Sequence, residues 1–82
     1  MYEVKETTVT IHTCFTLLSL LESYNYDTTW IRHTWNLQGI SDVWCAKRCV
    51  EVINNEGFKI PDNLLDNEVI QYLKCGNILL VQ

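Results

Sequence analysis

The spacing of apolar positions changes several times along the 82 residues, and each change predicts an element. From Tyr2 to Ile11 apolar and polar residues alternate, with Val4, Val9 and Ile11 against Glu3, Thr8 and Thr10. Alternation in a Thr- and Val-rich segment predicts a strand, with a phase slip near Glu6-Thr7 that fits a bulge or a late start. From Thr13 to Tyr24 the spacing lengthens to three and four residues. Cys14, Leu17, Leu18, Leu21 and Tyr24 fall on one side, Thr16, Ser19 and Glu22 lie between them, and Leu20 widens the apolar face. This is the pattern of a central helix.

Thr28–Gln38 reads both ways. As a helix it is capped by Asp27 or Thr28 and aligns Ile31, Trp35 and Gln38. As a strand it places Ile31, His33, Trp35 and Leu37 on one face, and its Thr and Trp content favours that form. The strand is the expectation. Ser41–Asn55 is the most strongly marked helix, with Ser41 as N-cap and Asp42 in the first turn. Val43, Ala46, Val50 and Ile53 form its stripe, widened by Cys45, Cys49 and Val52. Phe58-Lys59-Ile60 predicts a short extended piece before Pro61. A last helix capped by Asp62 or Asp66 follows, with Leu65, Val69, Tyr72 and Leu73 on its apolar side. Ile78–Val81 reads as a buried strand pairing with the first. Together these predict one α+β domain over residues 1–82, about three helices packed on a small, mostly antiparallel sheet.

Composition narrows the function. Hydrophobic residues make up 48% and charged residues 20%, which suits one modest core and leaves little room for a deep catalytic cleft. The net charge of −4 argues against general nucleic-acid binding, because phosphates must be met by a cationic footprint. No apolar leader opens the chain, and no stretch approaches the ~20 residues of a membrane span, so a soluble cytoplasmic protein is expected, with no membrane partner. In that compartment Cys14, Cys45, Cys49 and Cys75 are expected as reduced core thiols.

The motifs that carry chemistry are weak. Cys45 and Cys49 share a helix face, and His12, Cys14, His33 or Cys75 would have to complete a metal site, but no CxxC or HxxxH is present. There is no GxSxG, no glycine-rich phosphate loop and no HExxH. The carboxylates Asp62, Asp66 and Glu68 suit helix capping. The expectation is therefore no catalytic residue, no metal and no cofactor. A helix-turn-helix can be drawn with Thr29–Gln38 as first helix, Gly39-Ile40-Ser41 as turn and a second helix from Asp42. That second helix opens Asp42-Val43-Trp44 where base contacts and phosphate cations belong.

The tryptophans carry the remaining signal. Trp30, Trp35 and Trp44 lie close in sequence beside Tyr24 and Tyr26, and one of them, Trp35, is expected in the core. An exposed indole among polar groups is the usual form of a protein-binding anchor. The expectation is an acidic, non-catalytic interaction protein that docks on the basic surface of a larger protein. Trp30, Arg32 and Trp44 serve as anchors, and Glu51, Glu56, Asp62, Asp66 and Glu68 as a negative rim that steers association. By analogy of size and charge, its sharpest form is an inhibitor of a nucleic-acid-handling machine, as mobile-element (phage accessory) anti-defence proteins are. The alternatives are a dimeric helix-turn-helix regulator and a small subunit or homodimer module.

Overall fold

The computed structural model describes residues 1–37, 39–58 and 78–80, with the side chains of 8, 79 and 80 left aside. Along the chain run β1 (Tyr2–Val4), a 3-10 turn (Glu6–Thr8), α1 (Ile11–Ser23), α2 (Thr29–Leu37), α3 (Asp42–Glu56) and β2 (Ile78–Leu80). The last predicted helix, its caps Asp62 and Asp66, and Lys59, Ile60, Cys75 and Val81 lie outside the described residues.

The predicted α+β layering is corrected. The three helices pack on one another, and among the described residues extended backbone amounts to an antiparallel ribbon of two three-residue strands. Among the described residues no sheet face exists on which helices can be layered. Two local causes remove it. The first predicted strand stops at Val4 because the chain coils at Glu6 and α1 begins by Ile11. That early start is fixed by reciprocal capping: Thr10 Oγ1 accepts from Thr13 N at 3.3 Å, and Thr13 Oγ1 accepts from Thr10 N at 3.4 Å.

The second cause is Thr28–Gln38, which is a helix over Thr29–Leu37 rather than the expected strand. Burial decides the matter. Ile31 and Trp35, four apart, are sealed, while His33 and Leu37, which strand parity places beside them, are exposed. The Asp27 carboxylate accepts from Thr29 N at 3.0 Å and the Thr28 carbonyl from Arg32 N at 3.0 Å, so the first turn is satisfied at both residues read as caps. Packing of the Ile31/Trp35 face thus overrides the strand propensity of Thr and Trp.

α3 is the centre. Ser41 Oγ accepts from Trp44 N, and Gly57 closes the helix at φ 72°, a left-handed cap that costs a residue with a Cβ about 1 kcal/mol or more. Cys45, Ala46, Cys49, Val50, Val52 and Ile53 are buried. At 100° per residue they cover an arc of about 160°, wide enough to meet more than one neighbour. α1 contributes the fully buried Leu17, Leu18 and Leu21 to this core, and α2 contributes Ile31 and Trp35.

End contacts set the helix directions. At one end, the Cys14 thiol donates to the Asp42 carbonyl at 3.2 Å, Trp35 Nε1 donates to Asp42 Oδ1 at 3.2 Å, and Phe15 meets Trp35 edge-on at 5.4 Å. At the other, Tyr24 after α1 stacks on Phe58 after α3 at 4.7 Å. α1 and α3 therefore run in the same sense and α2 runs in the opposite one.

β1 and β2 pair in the register Tyr2↔Leu80, Glu3↔Leu79 and Val4↔Ile78, so the pairing expected between the two ends of the chain is present as a ribbon. Val4 and Ile78 are buried opposite each other and join the core. The Asn54 side chain of α3 completes the other edge of β1: its Oδ1 accepts from Tyr2 N at 2.7 Å and its Nδ2 donates to Tyr2 O at 2.8 Å. One amide side chain thus does for Tyr2 what a neighbouring strand would do.

Candidate functional site

Among the described residues two regions gather residue types that carry chemistry. The first is the seam between α1 and α3, where Cys14, Cys45 and Cys49 are free thiols with no exposed surface. Cys45 lies between the other two. Its hydrogen bond with Cys14 favours the thiolate, but its bond with Cys49 and its burial outweigh that and push the Cys45 thiol up to about 12. The contact with Cys45, then burial, push Cys14 well above its ordinary value of 9.0. Buried, protonated thiols are poor nucleophiles. Among the described residues no group of three or more His, Cys, Asp or Glu is placed to hold a metal ion.

The second region is the end of the bundle where α1 and α3 finish and α2 begins. Four aromatic rings meet there. Tyr24 and Phe58 are stacked at 4.7 Å and nearly parallel, with 6° between their planes; Tyr26 meets Phe58 edge-on at 6.4 Å. Trp30 donates its indole N–H to the Tyr26 hydroxyl at 3.3 Å. Trp30 is 46% exposed and Tyr24 is also exposed, while Tyr26 and Phe58 are half-buried against the core. The rings form an open platform whose rotamers are held by mutual contact. The sequence puts them there by local means: Tyr24 caps α1, Asn25 turns the chain at φ 62°, and the Tyr26 N–H returns to Leu21 O at 3.1 Å.

The rim of this platform is acidic. Glu22, Asp27 and Glu56 are exposed beside the rings in sequence. The Thr28 hydroxyl at 2.7 Å, then the Arg32 guanidinium at 2.8 Å, hold the Glu22 carboxyl below its ordinary range. Thr29, through its side chain and then its N–H, does the same for Asp27. Both stay ionised at neutral pH. Among the described residues Arg32 is the cation at this end, and it is engaged by Glu22 as a tie from α2 to α1. Lys59, next after Phe58, lies outside the described residues.

The expected site residues are thereby divided. Trp30, Arg32 and Glu56 stand on the helix ends that meet at the aromatic end, Trp30 bonded to Tyr26 and Arg32 to Glu22. Trp44 lies towards the other end, since it is in the first turn of α3 and Phe58 just beyond its last, about 15–20 Å along the axis, and Glu51 lies in the second half of α3. Trp44 is half-buried against the core, with Arg48 5.9 Å from its ring and Glu51 paired to Arg48 at 3.1 Å. Asp62, Asp66 and Glu68 lie outside the described residues. Trp35, 7% exposed, is the core indole. In the sequence Phe58 reads only as part of a short extended piece after the Asn54-Asn55-Glu56-Gly57 stop; its place in the aromatic group follows from α1 and α3 ending together, where Tyr24 stacks on it.

A groove of about 330 Å³ also opens between β1 and α3, lined by Tyr2, Glu3, Glu6, Lys47, Arg48 and Glu51 among others. Its cations are already matched within the chain, Lys47 by Glu6 and Arg48 by Glu51. Among the described residues no helix is long and apolar enough to cross a membrane. Neither a family model, nor a curated protein, nor a solved structure matches this chain, so its candidate site rests on its own geometry.

Proposed function

We propose that this protein is a non-catalytic interaction module that docks on a basic surface of a larger protein through its Tyr24/Tyr26/Trp30/Phe58 end. The observation that carries the reading is the combination of a half-exposed, hydrogen-bonded Trp30 with a carboxylate rim that stays charged. Aromatic anchors dominate protein interfaces, and a pre-ordered anchor loses less entropy on binding. The rim supplies attraction at a distance and raises the encounter rate. On a partner whose basic surface normally receives nucleic acid, such docking acts as a steric block, which is the inhibitor role. Capture of a partner from native extract by the immobilised chain tests this. Capture should be lost with Trp30→Ala, retained with Trp44→Phe, and weakened by salt. Capture indifferent to Trp30 would contradict the assignment.

A helix-turn-helix reading is favoured by one observation, the succession of α2, a turn at Gly39 and α3 at the spacing such motifs use. Charge speaks against it. Asp42 accepts from the Trp35 indole, and the cations of α3, Lys47 and Arg48, are both held in ion pairs. Retardation of random duplex DNA at low salt, weakening steeply as salt is added, would support it instead.

A further inference from the structure

Resting on that docking reading, we infer that the group this platform recognises is an arginine side chain of a basic protein segment, stacked on the open face of Trp30 with its guanidinium turned to the carboxylate rim. Three features converge on this chemistry. The indole is the best cation–π acceptor among side chains, and this one keeps nearly half its surface open while its N–H is pinned to the Tyr26 hydroxyl. Its ring plane is therefore set before a ligand arrives. The neighbouring Tyr24 and Phe58 rings are stacked on each other and Tyr26 meets Phe58 edge-on, so these three rings engage one another and the half-exposed Trp30 face is itself the shelf. A planar, weakly hydrated guanidinium matches a shelf; a lysine ammonium stays hydrated and makes only a point contact.

The rim supplies the third feature. Asp27, next to Tyr26, and Glu56, two residues before Phe58, are exposed carboxylates beside the rings in the chain, while Glu22 and Arg32 balance each other in an ion pair. Carboxylates take guanidinium N–H groups in paired, directional bonds. The same rim distinguishes arginine from the other flat ligand that stacks on aromatic rings, a nucleobase. Stacking platforms for single strands are set in cationic grooves that track phosphates, and this one is bordered by negative charge.

Isothermal titration of the full chain with an alternating Gly-Arg peptide and with its Gly-Lys counterpart of equal length tests the inference. The arginine peptide should bind about five- to tenfold more tightly. Trp30→Leu should abolish that preference, Trp30→Phe should reduce it, and Trp44→Phe should leave it intact, with circular dichroism checking that each variant folds. Equal affinity for the two peptides would overturn the arginine assignment while leaving charge-driven docking in place. Binding of neither peptide, with Trp30-dependent capture of a protein partner retained, would overturn it as well. Tighter binding of a single-stranded oligonucleotide than of either peptide would overturn both this inference and the docking reading.

Discussion

The thiol seam and the aromatic end both hold residue types that can carry chemistry, and the fold treats them in opposite ways. Cys14, Cys45 and Cys49 have no exposed surface; Cys14 donates to the Asp42 carbonyl, and Cys14 and Cys45 are held protonated. Tyr24 and Trp30 stand open at the far end, with a charged rim. Reactivity in principle therefore says little without access. The seam contributes cohesion between α1 and α3, and the aromatic end offers recognition.

The largest expected effect lies on the core side of this contrast. Leu21→Ala removes a fully buried side chain of α1 and should destabilise the domain by about 2–5 kcal/mol, read from denaturant unfolding. Its docking below the melting temperature should be unchanged. Trp30→Ala is the converse. It should weaken partner binding by about 2 kcal/mol while moving stability far less, since the ring is half-exposed. A Trp30→Ala protein that unfolds would erase the distinction between the two regions.

The thiols sharpen the contrast through pH. Because the folded state raises Cys14 and Cys45 above the ordinary 9.0, it favours their protonated forms. Their contribution to stability is complete below pH 9.0 and is lost as pH rises from there towards about 12, where the unfolded chain ionises first. Melting temperature should fall in that window, and less steeply in Cys45→Ala. Glu22 and Asp27 act at the other extreme: their lowered values add stability that is present above the ordinary carboxylate range and fades in acid. In a Cys75→Ser background, a thiol reagent should label the three seam cysteines only after denaturant is added. The smallest effect is expected at Gly57→Ala, about 1 kcal/mol, from the φ of 72° alone, since the space around it is open.

What was legible in the sequence follows from how local its cause is. α1 and α3 declare themselves through Leu17, Leu18 and Leu21 and through Ser41 with its buried stripe, because period and cap sit in one segment. A pairing of the Ile78–Val81 segment with the first strand was legible from an apolar run at one end of the chain and alternation at the other, but its register was not. α2 was not, because its nine residues pattern equally well in both periods. What selects the helix is the burial of Ile31 and Trp35 against other elements and the bond from Trp35 to Asp42. The same holds for the site. An exposed tryptophan was expected, but the grouping of Trp30 with Phe58 depends on α1 and α3 ending together. The separation of Trp30 from Trp44 depends on the length of α3.

The central claim, that recognition resides at the aromatic end, is tested most directly by the three indole N–H resonances of the ¹⁵N-labelled protein during titration with the Gly-Arg peptide. The Trp30 signal should shift and saturate, with Trp35 and Trp44 unmoved. Movement of Trp44 with Trp30 unmoved, or no movement of any indole, would contradict it.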